Sequence, residues 1–387
     1  MDAPARRGPL AGLKIIELFG VGPVPFAGML LSDMGADVLL VDRMTEPDLR
    51  LPEHRYRLLY RNRRSVRVDL KNPAAVDLLL RLVEGADGLM EGFRPGVAER
   101  LGLGPVECIA RNPRLAYGRM TGWGQDGPLS QRAGFDLNYL ALTGALASIG
   151  DADRPPPPPL LMVGDFGGGG AFLAMGMIAA FFESGRSGQG QVVDAAVVDG
   201  VHNLMAYVYG GLAGGTWVNG RQSNIVDGGD FRYATYECAD RRHVAVAAPL
   251  EAFLAPLTEA LGLDLAELDL GDSDDPGNWP AYRRVLADIF ATRTRDEWMS
   301  VFDSDRHCVT PVLDLHEAPR HPHNVHRQAF VDVDGVAHPA PAPRFSRTPS
   351  TISGPPPEPG AGGRAVLADW GLDAGEIADL LDSGVIA

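Results

Sequence analysis

Residues 13–43 read LKIIELFGVGPVPFAGMLLSDMGADVLLVDR. Lys14-Ile15-Ile16-Glu17-Leu18 is a short apolar strand, and Gly20–Pro25 reads as a turn. Phe26–Met34 carries helix-compatible apolar residues closed by Gly35, a C-cap glycine. Val38-Leu39-Leu40-Val41 then runs apolar without alternation into Asp42-Arg43. Two continuous apolar runs separated by one helix indicate strands buried on both faces, hence a parallel sheet.

The pattern repeats outward from this unit. Strands are expected at Ser65–Leu70, Gly88–Phe93 and Leu115–Met120, with helices at Ala74–Glu84 and near Val97–Leu101. The fold class is α/β, a doubly wound Rossmann-like domain. Five prolines at 155–159 make a stiff extended segment. Behind them come Val163-Gly164-Asp165-Phe166, the glycine run 167–170 and a long apolar helix over about 171–183. Val192 to about Gly211 reads as a further strand and helix. Strands at Tyr233–Glu237 and His243–Ala247 open a smaller α+β domain. Domain boundaries are set at 1–200 for the first part of the large domain, 201–232 for a linker helix region and 233–315 for the small domain. A second linker covers 316–338, and 339–387 returns to the large domain. That return holds a strap with eight prolines over 339–359 and a final amphipathic helix, Val366–Leu381.

Composition excludes several classes of function. The 387 residues suit two domains, or three, at roughly 100–200 residues each. With 45% hydrophobic and 22% charged residues the chain can bury a core, which excludes disorder as its dominant state. A net charge of −15 opposes nucleic-acid binding, so a bound anion needs a local arginine cluster. Three widely spaced cysteines form neither a disulfide framework nor a zinc site, and suit a reducing compartment. No signal peptide is evident, and the longest apolar run, Ala171–Phe182, is too short to span a bilayer. A cytoplasmic protein without membrane or nucleic-acid partners is expected.

Several residues are candidates for chemistry. Gly20 and Gly22 follow the first strand, but Pro25 stands where a dinucleotide fingerprint needs glycine, so these residues read as a turn and no nicotinamide or flavin site is expected. Arg43, Arg63, Arg64 and Arg94 cluster at strand junctions. They either grip a phosphate-rich ligand or pair with surface carboxylates. Asp165, between Gly164 and the glycine run, is either an N-cap or an ionised carboxylate that acts as base or nucleophile. His316, His321, His323 and His326 are separated by prolines, so a polar linker rather than a metal site is expected.

The segments LAGLKIIEL, AGMLLSDMGADVLLVD, RNRRSVRVDLKNP, EGFRPGVAERLGLGP, MTGWGQDGP, VGDFGGGG and GQGQVVDAAVVDG resemble the family III CoA-transferases of the CaiB/BaiF type. Within that family the similarity is greatest to the α-methylacyl-CoA racemase branch, and it covers nearly the whole chain, including TYECAD and PAPRFSRT. The resemblance implies a CoA-binding Rossmann-like domain and an interlocked homodimer. It also implies an active site between the large domain of one subunit and the small domain of the other. It makes Arg43, Arg63 or Arg64, and Arg94 contacts for CoA phosphates and adenosine, and it groups Asp136 with the CoA-binding residues.

In that branch a histidine in a G-H-D motif serves one face of an enolate, an aspartate in G-D-F-G-G-G serves the other, and a small-domain glutamate supports the histidine. Here Phe135 replaces the histidine and Leu250 the glutamate, with Glu251 one position away. Asp165 is the catalytic group left. The expectation is a small-molecule enzyme of specialised metabolism that takes a CoA thioester, or a related aromatic or polyketide substrate, without a metal. Asp165 would carry a one-faced proton transfer, isomerisation, cyclisation or elimination. The alternatives are racemisation, CoA transfer with Asp165 as nucleophile, and a non-catalytic CoA-binding protein. Asp136, Tyr139, Asp230 and Tyr233 are the candidates to stand in for the missing groups.

Overall fold

The structure, a computed structural model, describes residues 7–45 and 51–387. The chain forms two compact units: residues 1–143, 159–204 and 325–387 make the first, and 144–158 and 205–324 the second. The expected linker 201–232 thus falls mostly in the second unit, together with prolines 155–158.

The first unit is built on a parallel sheet of β1 (Lys14–Leu18), β2 (Asp37–Asp42), β3 (Arg64–Arg67), β4 (Gly88–Glu91), β5 (Ala116–Thr121) and β6 (Gln191–Ala196). Their spatial order is β3-β2-β1-β4-β5-β6, and all pairs are parallel. The winding reverses between β1 and β4. Crossovers of this kind leave a crevice outside the carboxyl ends of the strands at the reversal point, where such sheets take ligands.

Helix α1 (Pro23–Asp33) starts three residues earlier than expected, because Pro23 at its first position has no N–H to leave unsatisfied. Helix α2 (Pro73–Glu84) begins the same way, and its N-cap Asn72 accepts a bond from the Ala74 N–H at 3.1 Å. It buries Leu78, Leu79, Leu82 and Val83 in the core that Ile16, Leu39 and Leu89 share with the C-terminal Val366, Leu367, Ile377 and Ile386. Each such side chain contributes roughly 1.5–3 kcal/mol through removal of apolar surface from water. The expected last helix is two, Gly363–Asp369 and Ala374–Asp382, separated at Gly371, whose φ of 101° a side chain would resist.

The glycine run is helical. Met162–Gly170 forms a π-helical stretch that continues into the helix Ala171–Ser187. The reason is tertiary: a Cβ on Gly168 would strike Val201, one on Gly200 would strike the Gly168 carbonyl, and one on Gly170 would strike Pro23. The glycines let three helices approach, so they are packing residues and not a ligand cradle. The combined helix, Met162–Ser187, is 26 residues long and apolar enough to cross a membrane by length and composition. Its Leu173, Ala174, Met177 and Ala180 are buried, and the helix packs on β5 and β6.

The arginine-rich segment before β3 is also internal. Arg61 pairs with Asp33 at 2.5 Å and donates to the Pro339 carbonyl at 2.7 Å. Asn62 donates to Thr351 and accepts from the Ser353 N–H, which fastens the proline-rich strap. Arg63 is fully buried against Glu17 at 2.8 Å and also donates to the Pro25 and Leu59 carbonyls. Arg64 pairs with Asp37 and Asp369 at the amino end of β3, the edge of the sheet opposite to Arg43.

The second unit contains an antiparallel sheet of β7 (Tyr233–Glu237), β8 (His243–Ala247) and β9 (Val309–Pro311). Helices Glu251–Leu261, Trp279–Phe290 and Arg295–Val301 accompany it. Its core is aromatic: Phe231 stacks on Tyr282 at 4.9 Å and Tyr236 on Phe290 at 5.0 Å. A short hairpin, β10 (Phe330–Val333) and β11 (Val336–Pro339), belongs to the first unit.

Candidate active site

The loops after β1, β4 and β5 border a cleft of about 350 Å³ at the reversal point of the first unit's sheet. Val21, Pro23 and Val24 come from the first loop and the start of α1, Gly92–Pro95 from the second, and Thr121–Trp123 from the third. Residues 132–135, Tyr139, Asp165 and Val197 complete the wall. Among the described residues lining this cleft, Asp165 is the one carboxyl group, and there is no imidazole.

Three contacts fix Asp165. Phe26 of α1 stacks on the adjacent Phe166 at 4.7 Å. The Asp165 N–H donates to Asp136 Oδ1 at 2.7 Å, and Gly164 leaves room for that carboxylate because a Cβ there would collide with it. On the other side the Asp165 carboxylate lies against Gly22, where a Cβ would collide with Oδ2. Gly22 has a φ of 72°, which also favours glycine. Burial, followed by the neighbouring Asp136 charge, pushes the Asp165 carboxyl up to about 7. The group is therefore poised between acid and base near neutral pH.

Aromatic and aliphatic side chains form most of the walls. The Tyr139 ring meets Trp123 edge to face at 4.8 Å, and Gly122 and Gly134 lack the side chains that would collide with it. Its hydroxyl donates to the Gly134 carbonyl. Burial and the nearby Asp165 push the phenol up to about 12, so Tyr139 stays protonated at neutral pH. Phe135 caps the helix Asp136–Ala141 and is 73% exposed at the cleft. A phenyl ring there can shape the cleft but cannot move a proton. Beneath the rim, Glu91 accepts from the Phe93 N–H at 2.6 Å and pairs with Arg119 at 3.1 Å, which holds the β4 loop in place.

The structure separates the four arginines. Arg94 lines the cleft, is exposed, and among the described residues makes no side-chain hydrogen bond or ion pair. Arg43 is exposed just past the carboxyl end of β2. Arg63 has no exposed side chain and is held by Glu17, so the reading of it as a phosphate contact gives way to a buried structural pair. Arg64 is neutralised by two aspartates at the far edge of the sheet.

Asp136 is buried and holds a backbone N–H rather than facing solvent. In the second unit, Leu250 is the 63% exposed N-cap of the helix that Glu251 opens. Asp230 is buried against Arg232 at 2.8 Å, a structural pair, and Tyr233 sits partly exposed on β7. No group of three or more His, Cys, Asp or Glu residues that could hold a metal occurs among the described residues. Trp123, Arg132 and Glu91 were not singled out from sequence. The glycines flanking Trp123 just after a strand are the one local signal that marks a cleft wall there.

The family model for CoA-transferase family III matches residues 10–362. The α-methylacyl-CoA racemase of Mus musculus is 40% identical over 379 residues, covering 97% of both chains. A succinyl-CoA–D-citramalate CoA-transferase of Chloroflexus aurantiacus is 30% identical, covering 98% of both chains. The crystal structure of a CaiB/BaiF family protein from Brucella suis superimposes with a TM-score of 0.81 at 25% identity, covering 94% of this chain and all of that one.

Proposed function

We propose that this chain, which belongs to CoA-transferase family III, moves the α-proton of an acyl-CoA thioester on and off a single face, with Asp165 as its proton carrier. The carboxylate takes the α-hydrogen as a proton, the C–H electron pair passes into the thioester carbonyl as an enolate, and the new carboxylic acid returns a proton to carbon. Isomerisation, cyclisation or elimination starts from the same enolate. The observation that carries this reading is the solitary carboxyl in a largely apolar cleft, with Phe135 on the wall. A carboxyl half protonated near pH 7 suits two-way proton traffic. A nucleophile that must attack a thioester in its ionised form gains nothing from the same shift, which ranks CoA transfer second.

Several features support the substrate class. Arg94 offers an unpaired guanidinium at the carboxyl end of β4, suited to a CoA phosphate. Phe93, Trp123, Phe135 and Tyr139 suit a flat, aromatic or polyketide-like acyl group. Arg94→Ala is expected to weaken CoA-thioester binding by about 10–100-fold in calorimetry, the effect of losing one charge-assisted contact, while the melting temperature stays put. A homodimer fits the apolar helix Ala206–Ala213, in which no residue is buried, and the exposed Met175 and Phe182.

The deciding assay uses D2O. Acyl-CoA thioesters are expected to gain deuterium at the α-carbon, and hydroxylamine added during turnover is expected to leave Asp165 unmodified. Hydroxamate formation at Asp165 would instead establish an acyl anhydride and the transferase chemistry.

A further inference from the structure

The Asp165 carboxylate lies against Gly22, the N-cap residue of α1, an 11-residue helix whose N-terminus would normally offer it N–H donors. A cap oxygen accepts from the second or third helical N–H. The first three positions here are Pro23, Val24 and Pro25, so two of the three have no N–H. Val24 keeps its N–H but does not donate it to the carboxylate, and the Phe26 N–H turns to the Gly22 carbonyl at 3.4 Å. Among the described residues, nothing donates a hydrogen bond to either Asp165 oxygen.

We infer that Pro25 acts as a positioning residue for the reaction: it removes the third-position donor of α1 that would cap Asp165, and so keeps its carboxylate free to exchange protons with substrate. The other groups around it do not make good the loss. Asp136 and Tyr139 face it from the helix Asp136–Ala141, the first with a like charge and the second with its hydroxyl committed to Gly134. Arg94 and Arg132 border the same cleft without bonding to it, and Val197 faces it with an apolar side chain. Carboxylates that accept backbone N–H bonds hold their charge far more strongly. A capped Asp165 would be a weaker base, slower to take the α-hydrogen from carbon.

The inference rests on Asp165 as proton carrier, but its test needs no turnover. Carbon-13 NMR of labelled aspartate carboxyls, assigned with Asp165→Asn, follows the Asp165 titration directly. Pro25→Ala is expected to lower the Asp165 midpoint by about one pH unit or more, the equivalent of one hydrogen bond to a charged group, whereas Pro23→Ala, which restores only the first N–H, is expected to leave it in place. The acid limb of α-exchange should move with it. An unmoved midpoint in a folded Pro25→Ala variant overturns the inference.

The wild-type protein supplies a second reading that no folding defect can obscure. Its Val24 and Phe26 amide protons are expected to show no large shift that tracks the Asp165 titration. A large one, absent in Asp165→Asn, would reveal a bond from α1 and contradict the proposal. Loss of the Asp165 role itself would be seen separately, as full exchange activity in Asp165→Asn.

Discussion

Asp165→Asn is expected to lower α-proton exchange by about 10²–10⁴, the cost of removing a general acid–base group, with acyl-CoA binding retained. The amide keeps the shape of the side chain and loses only the titrating proton, so kcat falls and the dissociation constant does not. In the wild type the rate should rise with pH through about 7 as the carboxyl ionises, then level off. Stability runs the other way. The folded protein holds this proton to about 7, whereas an unfolded aspartate releases it near 3.9. The folded state therefore binds more protons between those values, and the Asp165 contribution turns unfavourable as pH rises through that window. Above pH 7 the Asn variant should melt at a higher temperature than the wild type, and at pH 4 the difference should vanish. Thermal scans at pH 4 and pH 8 beside exchange rates check both halves, and an unchanged exchange rate would remove Asp165 from the chemistry.

Arg63→Met is expected to cost about 3–5 kcal/mol of stability, because it leaves Glu17 buried without its partner. Both side chains are fully buried, and Gly28 is a glycine because a Cβ there would collide with the Glu17 carboxylate and the Arg63 guanidinium. Burial already drives Glu17 up from its ordinary range against the pull of Arg63. Without the guanidinium it should take up a proton on folding, and the defect should ease at low pH. Urea unfolding at two pH values measures this. Where the folded variant persists, CoA-thioester affinity should match that of the wild type, in contrast to Arg94→Ala. Weaker binding with unchanged stability would return Arg63 to the ligand site.

These two residues also mark what the sequence could and could not convey. The parallel sheet was legible from the largely apolar runs of β1 and β2 on either side of one helix, and β7 and β8 lie at the residues expected for them. The role of Arg63 was not, since Glu17 lies 46 residues away and no local pattern links them. Asn62 and Arg64 likewise find partners about 290–305 residues on, in the returning C-terminal segment. The glycines at 167–170 read only as a run ahead of a helix, whereas their contacts are with α1 and the helix Val197–Leu204. Asp165 was picked out by its neighbours. What makes it a proton carrier, the missing third-position donor of α1 and the largely apolar wall, is visible only once Gly22 and Tyr139 are brought beside it.

The most direct test is stereochemical. Each enantiomer of a 2-methylacyl-CoA, incubated separately in D2O, should report which faces of the enolate receive a proton. A single carboxyl working on one face should load deuterium into one enantiomer with its handedness retained and leave the other untouched. Racemisation of either enantiomer as fast as its deuterium exchange would contradict the account, because it requires a second proton carrier on the opposite face.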